Sequence, residues 1–226
     1  MQMRVYPPIT ALAFDLDGTL IDSAPDIGHA LNGALAREGL PEFGLPQVIA
    51  WVGDGPDRLI ERALDHLGIN HRTSDIAQRL RRTYQYISLA APLLHGSPFP
   101  GIPELLATMP HRYPRVVVTN KPADLARAVL AAAGLLDGFR AVMGPAHREQ
   151  RKPEPFLLHA AAVTLGIRSG ELLMVGDSAA DLGAARAAGC PVAYASWGYG
   201  KPGVLGAYPE ASLLRRPADL LGLLTD

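Results

Sequence analysis

The sequence predicts an α/β fold in which a Rossmann-like parallel sheet forms the core and a second, all-helical domain is inserted near its start. Short apolar runs alternate with helical patterns through the second half of the chain, an order that is typical of parallel sheets. Between the first two apolar runs, residues 25–95 have a helical pattern without a convincing strand. The 226 residues are roughly 1.5 times a typical domain, which leaves room for an inserted half domain.

The individual elements follow from the apolar runs and from the turn residues between them. Residues 10–14 form the first predicted strand, and Asp22, Ser23 and Pro25 then supply the capping residues and the early proline that open a helix. The proline- and glycine-rich residues 96–101 end the helical insertion as a hinge. The later strands are predicted at residues 115–118, 140–143, 172–175 and 192–195, with helices at about 122–134, 154–166 and 179–189. We therefore expect a core domain of residues 1–20 and 97–226 and a helical domain of residues 21–96.

Composition and charge exclude several classes of function. The 21 Lys and Arg residues nearly balance the 22 Asp and Glu residues. The sequence contains no block of like charge that could bind nucleic acid or a membrane surface. No apolar stretch approaches the ~18 residues of a transmembrane helix, and the N-terminal stretch reaches Asp15 too early for a secretory signal. The single cysteine, Cys190, cannot form an internal disulfide, and we expect it to be a small buried residue. These features predict a cytoplasmic protein without nucleic-acid or membrane partners.

Two aspartates follow the first predicted strand, in the sequence Asp-Leu-Asp-Gly-Thr. Strand alternation places Asp15 and Asp17 on the same side of the extended backbone. Two carboxylates a few ångströms apart repel by roughly 4 kcal/mol at an effective dielectric near 20, so a bridging cation or a shared proton is expected. An ordinary turn at Asp17 and Gly18 is the alternative interpretation.

A possible anion site follows the second strand. Thr119 and Asn120 offer a hydroxyl, an amide and backbone N–H groups just before a predicted helix. The alternative is that one of the two residues only caps that helix.

More charged residues come before and after the later elements. Lys152 precedes the helix at about 154–166, where an ordinary surface lysine is the alternative. Asp177 and Asp181 follow the strand at 172–175, where a helix N-cap and a first-turn acidic residue would also explain them. Because ligands bind beyond the carboxyl ends of the strands in an open parallel sheet, we expect all of these side chains to converge there.

These motifs together resemble those of the haloacid dehalogenase-like phosphohydrolases. The four motifs of that family are matched by residues 15–19, Thr119, Lys152 and residues 176–181. The helical insertion falls where the family carries its C1 cap domain, so the resemblance covers nearly the whole chain.

The resemblance implies a Mg²⁺-dependent phosphatase. Asp15 would be the nucleophile that forms an aspartyl-phosphate, and Asp17 would be the general acid and base. The resemblance also implies the metal ligands Asp15, Asp17 and Asp177, the phosphate-binding residues Thr119, Asn120 and Lys152, and the supporting residues Gly18, Ser178 and Asp181.

Substrate specificity is expected from the insertion. Gly53, Asp54 and Gly55 could bring backbone N–H groups close to a substrate, because glycine allows a close approach of the chain. Arg58 is a candidate cation for a substrate carboxylate. The alternatives are an ordinary loop between helices and an ion pair of Arg58 with Asp54 or with Glu61.

The expected substrate is a small phosphate monoester. Within the family, residues 51–55, 119–122 and 187–191 look most like the bacterial phosphoglycolate phosphatases, which implies hydrolysis of 2-phosphoglycolate to glycolate and phosphate. Pyrophosphate, nucleotides, sugar phosphates or amino-sugar-acid phosphates remain alternative substrates, and a sugar-phosphate mutase would share the same core residues.

A sensor of phosphorylated ligands without catalytic activity is the alternative from a different class. Loss of Asp15, Asp17 or Lys152 would favour it, and all three are present. We therefore expect an enzyme whose partner is a small-molecule phosphate ester, and which is a monomer or a homodimer.

Overall fold

The chain folds into a parallel sheet, helices on both of its faces, and a separate group of helices near the N-terminus. The computed structural model describes residues 8–71, 74–201 and 203–224. The strands are β1 (Ala11–Phe14), β2 (Ile21–Asp22), β3 (Ser97–Pro98), β4 (Arg115–Val118), β5 (Ala141–Met143), β6 (Leu172–Gly176), β7 (Val192–Ala195) and β8 (Ser212–Leu214). The α-helices are α1 (Ala24–Arg37), α2 (Leu45–Trp51), α3 (Pro56–His66), α4 (Ile76–Ala90), α5 (Ile102–Thr108), α6 (Ala123–Ala132), α7 (Phe156–Leu165) and α8 (Ala179–Ala188).

The main sheet has six strands in the order β5-β4-β1-β6-β7-β8, and every neighbouring pair is parallel. β1 lies between β4 and β6, so that Phe14 pairs with Val117 on one side and with Val175 on the other. This topology places the carboxyl ends of β4, β1 and β6 side by side. The α/β fold class expected from the sequence is confirmed.

Helices cover both faces of the sheet, which explains why its strands are continuous apolar runs. Leu12 and Phe14 pack with α5, α6 and the 3₁₀ turn Pro217–Leu223 on one face. Ala11 and Ala13 pack with α7 and α8 on the other face. Cys190 is fully buried on that second face, as expected, and burial raises the pKa of its thiol to about 12.

The helices α1 to α4 have a hydrophobic cluster of their own. Leu31 and Leu35 of α1, Ile60 of α3 and Leu80 of α4 are fully buried in it, and Leu125 of α6 also joins it. Residues 1–7, 202 and 225–226 of the expected core and residues 72–73 of the expected helical domain lie outside the described residues. The division at residues 20/21 and 96/97 stays a prediction.

Two short connections join the helical group to the sheet. β2 and β3 pair in antiparallel fashion, with Ile21 opposite Pro98 and Asp22 opposite Ser97. The sequence analysis did not predict this two-stranded ribbon, nor α5 and β8. Within the described part of the chain, none of the helices combines the length and the apolar character that crossing a membrane requires.

Gly144 holds the segment between β4 and α6 close to the end of β5. A Cβ at this position would overlap the carbonyl oxygen of Lys121 and would lie 2.7 Å from the backbone nitrogen of Ala123. Both are backbone atoms, which cannot rotate away as a side chain can.

We therefore expect Gly144→Ala to lower the free energy of unfolding by about 1–3 kcal/mol, the usual cost of overpacking. Urea unfolding measures the change. Gly138→Ala is the matched control, because its Cβ would meet no atom within 4 Å. Equal stability of the two variants would contradict the expected close contact.

Candidate active site

The carboxyl ends of β1, β4 and β6 bring the predicted site residues together. Asp15 follows β1, Thr119 follows β4 and Asp177 follows β6, and all three are at most 5% exposed. Lys152 and Asp181 lie beside them and are also buried. The convergence that the sequence analysis expected therefore exists in the folded chain.

Three buried carboxylates form a cluster, and one ammonium group pairs with two of them. Oxygens of Asp15, Asp177 and Asp181 lie within 4.8 Å of one another. Lys152 Nζ lies 2.9 Å from Asp15 Oδ1 and 2.5 Å from Asp181 Oδ1, and it donates to the carbonyl oxygen of Val118 at 2.8 Å. With one positive charge among three acidic groups, the cluster favours binding of a cation or of a proton.

Burial and crowding raise the pKa values of two of these carboxyl groups. Burial is the main cause that raises the pKa of Asp15 from its ordinary 3.8 to about 7; the Asp181 carboxylate adds to the rise and Lys152 opposes it. Burial, followed by Asp181 and Asp15, likewise raises the pKa of Asp177. Burial opposes the charge of Lys152, but the carboxylates of Asp15 and Asp181 outweigh it and raise its pKa.

The Asp177 carboxylate is held by two donors and a glycine. The Thr19 hydroxyl donates to Oδ1 at 2.8 Å, and the backbone N–H of Tyr199 donates to Oδ2 at 2.8 Å. Gly18 has a φ of +89° and lies against the same carboxylate, so that a Cβ there would be 2.8 Å from Asp177 Cγ. These contacts fix where the Asp177 oxygens can meet a ligand.

Ser178 and Asp181 form a capping box at the start of α8. Asp181 Oδ2 accepts from the Ser178 N–H at 3.0 Å and from its hydroxyl at 2.6 Å, while Oδ1 faces Lys152. The interpretation of Asp177 as the N-cap is wrong, because Ser178 takes that position. The Asp177 carboxylate thus remains directed into the cluster, and Asp181 orients Lys152.

The cluster fits a divalent cation of the kind that prefers oxygen ligands. Asp15 Oδ1 is buried without a hydrogen bond, since Lys152 Nζ lies near it but outside hydrogen-bond geometry. A buried carboxylate oxygen in that state, next to the Asp177 carboxylate, suits Mg²⁺. The full ligand set of Asp15, Asp177 and the backbone carbonyl of Asp17 stays a prediction.

Thr119 and Asn120 do not cap α6, because α6 begins after Pro122 and has no side-chain cap. The Thr119 hydroxyl accepts from the Lys121 N–H at 3.2 Å. The Asn120 amide donates to the carbonyl oxygens of Gly53 at 3.0 Å and of Lys152 at 3.1 Å, and its oxygen accepts the Lys152 N–H at 2.8 Å. The Asn120 side chain therefore ties the helical insertion to the loop that carries Lys152.

A cavity lies between this site and the helical insertion. Core residues on its wall include Asp15, Asp17 and Thr119, and the insertion contributes Gly53 and Gly55. The structure thus brings two of the predicted specificity residues to the site.

The other two predicted specificity residues lie elsewhere. Arg58 forms an ion pair with Glu61, as one of the sequence alternatives proposed, and Asp54 pairs with Arg62. Both line a separate, open cleft together with Arg148. Arg58 is therefore not the cation of the cavity.

The sequence analysis gave no role to two further residues at the site. Lys121 Nζ donates to both oxygens of Asp17, at 2.9 and 3.2 Å, and the Ser23 hydroxyl donates to Oδ1 of the same carboxylate at 2.6 Å. Tyr199 donates its hydroxyl to Asp22 at 2.5 Å. Lysine is scarce in this chain, and that scarcity could have drawn attention to Lys121 as a functional residue. Tyr199 lies in a loop after the last predicted strand, where no sequence pattern indicated a role.

Comparisons with known proteins agree with the motifs. The profile of a family described as haloacid dehalogenase-like hydrolase matches residues 12–195. A phosphoglycolate phosphatase of Photorhabdus laumondii is 35% identical over 227 residues, covering 100% of this chain and 94% of the relative. One of Rhodospirillum rubrum is 39% identical over 195 residues, covering 84% and 81%.

Solved structures agree as well. The crystal structure described as a predicted phosphoglycolate phosphatase from Haemophilus somnus superposes with a TM-score of 0.86 at 29% identity, covering 95% of this chain and 97% of that one. The likeness extends over the sheet and the helical insertion together.

Without a divalent cation, the folded protein should lose stability as pH rises from 3.8 to about 7, the interval between the ordinary and the folded pKa of Asp15. In that interval the folded protein binds the Asp15 proton more tightly than the unfolded chain does, so raising the pH removes stability. Urea unfolding with EDTA, compared between wild type and Asp15→Asn, isolates this contribution.

Excess Mg²⁺ should remove most of the difference, because the cation replaces the proton between the carboxylates. Parallel pH profiles of the two proteins in EDTA would contradict the raised pKa of Asp15.

Proposed function

The chain belongs to the haloacid dehalogenase-like hydrolase family, and from this we propose that it is a Mg²⁺-dependent phosphatase that hydrolyses 2-phosphoglycolate to glycolate and phosphate. The observation that carries the proposal is the buried cluster of Asp15, Asp177 and Lys152 beside a small cavity that also holds Asp17. The relatives named phosphoglycolate phosphatase align over most of both chains, which supports the substrate.

Asp15 and Asp17 carry out the bond changes in two steps. The Asp15 carboxylate attacks phosphorus, the bond from phosphorus to the ester oxygen breaks, and Asp17 gives its proton to the leaving alkoxide. A water molecule then attacks the aspartyl-phosphate and gives a proton to Asp17. Phosphate leaves, and the Asp15 carboxylate is restored.

Other residues hold the charge of the transferring phosphoryl group. Lys152 supplies a full positive charge next to Asp15, and Thr119 supplies a hydroxyl. Both N–H bonds of the Asn120 amide are already donated, so its contribution to phosphate binding is its backbone N–H. Asp15, Asp177 and the backbone carbonyl of Asp17 would hold Mg²⁺, which would supply the positive charge that lets an anionic nucleophile approach a phosphate.

Gly18, Ser178 and Asp181 support this arrangement without contacting substrate. Gly18 leaves space for the Asp177 carboxylate, and the capping box of Ser178 and Asp181 presents an oxygen to Lys152. Both effects place reacting groups before the substrate arrives.

The helical insertion acts as the cap of the site. Residues 21–96 form this cap in our proposal, over a core of residues 1–20 and 97–226. Gly53 and Gly55 of the insertion line the cavity together with core residues, an arrangement that suits a compact ester. Closure of this cap over the site removes bulk water from the reacting groups.

We also propose a cytoplasmic enzyme that is a monomer or a homodimer, with no nucleic-acid or membrane partner. The balanced charge of 21 basic and 22 acidic residues supports the absence of a nucleic-acid or membrane partner.

In a panel of phosphate esters, 2-phosphoglycolate should have the highest kcat/KM, because the relatives named phosphoglycolate phosphatase align over most of this chain. The panel also contains pyrophosphate, nucleoside monophosphates, hexose phosphates and amino-sugar-acid phosphates, and released phosphate is measured. Another member that exceeds 2-phosphoglycolate by more than about tenfold, roughly 1.4 kcal/mol, would leave a phosphatase with a different substrate.

Metal removal is the control for this panel. Excess EDTA should abolish turnover, Mg²⁺ should restore it, and Ca²⁺ should restore little, because its larger and looser coordination shell misplaces the oxygens. Full activity in a metal-free preparation would contradict the proposed site.

Asp15→Asn should abolish turnover, because the nucleophile is lost. Asp17→Asn should slow turnover by about 10²- to 10⁴-fold, the range for loss of general acid–base catalysis. The exposed Asp137→Asn is the matched control and should keep wild-type rates. Mass spectrometry after quenching should find the phosphoryl label on the peptide that contains Asp15, and a label elsewhere would refute the assignment.

A further inference from the structure

The inference concerns the ammonium group of Lys121. This residue is 7% exposed, and its side chain lies on the wall of the cavity beside Asp17. Nζ is 2.9 Å from one oxygen of Asp17 and 3.2 Å from the other. An ammonium group has three N–H donors, and a single carboxylate takes at most two of them in this geometry, so a donor remains for a ligand.

Lys121 is the positively charged residue of the cavity. Among the cavity-lining residues in the described ranges, the other ionisable side chains are Asp15, Asp17 and Tyr84. Lys152 does not line the cavity, and its ammonium is engaged by Asp15, Asp181 and the Val118 carbonyl. An anionic part of a substrate inside the cavity therefore meets Lys121.

The contact with Asp17 also determines which part of the substrate Lys121 reaches. Asp17 gives its proton to the leaving oxygen, so its carboxylate lies next to that oxygen during the reaction. A cation in contact with Asp17 is then also close to the leaving oxygen. Lys121 is placed to contact the leaving group, while Lys152 serves the phosphoryl group.

The rest of the cavity wall strengthens this contact. Ile27, Val52, Pro56 and Leu59 line the same cavity with apolar groups. Charges attract more strongly in such surroundings than in water. Lys121 is already paired with Asp17, so a leaving group with a carboxylate gives the ammonium group a second anionic partner, and a neutral leaving group does not.

We infer that Lys121 is a specificity-determining residue that selects phosphate esters of small hydroxy acids by binding the carboxylate of the leaving group. The inference rests on the proposed phosphatase activity and replaces Arg58, which the sequence analysis considered for this role.

The test compares two esters of the same size, 2-phosphoglycolate and its neutral amide, 2-phosphoglycolamide. Wild-type enzyme should prefer the carboxylate ester, and Lys121→Met should reduce the ratio of the two kcat/KM values by about 10- to 100-fold, as for one hydrogen bond to a charged group. Lys121→Gln, which keeps a donor for Asp17, should reduce the ratio similarly, and Lys121→Arg should restore part of it. The exposed Lys201→Met is the matched control for loss of charge.

The ratio of the two kcat/KM values distinguishes failure of the role inferred for Lys121 from failure of the proposed phosphatase activity. If wild type hydrolyses neither ester nor any other phosphate ester, the proposed function fails. If wild type hydrolyses both esters equally, the phosphatase stands and the inference is overturned. A fall of both rates by the same factor in Lys121→Gln would mean that Lys121 only positions Asp17, and a collapse of the ratio in Arg58→Met would return the role to Arg58. If Lys121→Met fails to fold, Lys121→Gln and Lys121→Arg, which keep donors for Asp17, decide between these outcomes.

Discussion

A single buried ammonium group, that of Lys152, pairs with two members, Asp15 and Asp181, of a cluster of three carboxylates that would otherwise repel one another. Asp15 follows β1, whereas Asp177 and Asp181 follow β6, and the pairing of these two strands in the parallel sheet brings the three carboxylates together. Two other features reduce the repulsion between the carboxylates. The capping box at the start of α8 donates hydrogen bonds to Asp181, and the Thr19 hydroxyl donates one to Asp177. A divalent cation would neutralise the negative charge that Lys152 leaves unpaired. Metal binding and the geometry of the reactive site therefore depend on the same carboxylates.

Much of the core site could be predicted because it depends on backbone topology. Apolar runs indicate strands, parallel strands share one carboxyl edge, and the polar residue after each run is therefore placed without knowledge of packing, as for Asp15 and Asp177. The ribbon of β2 and β3 has two residues in each strand, too few to produce a periodic pattern. The contacts of Arg58 could not be predicted either, because the pattern of an amphipathic helix does not reveal which neighbour its charged side chains contact.

Asn120 joins the two parts of the proposed enzyme. Its amide binds the backbone of Gly53 in the helical insertion and the backbone of Lys152 in the core. The sequence analysis assigned this side chain to phosphate, since an amide beside a helix start suits an anion. In the folded chain it connects the loop over the cavity with the loop that supplies the positive charge, so the two loops share one anchor.

Tyr199 connects two segments that a protein engineer would treat as separate. Its backbone N–H binds Asp177, while its hydroxyl donates to Asp22 and accepts the N–H of Ala24, at the first turn of the insertion. An exchange of the insertion with that of a relative would therefore also alter the support of Asp177, the aspartate that we propose as a metal ligand. Chimeric enzymes built on this scaffold need their junction beyond Ala24, so that the recipient keeps both partners of the tyrosine.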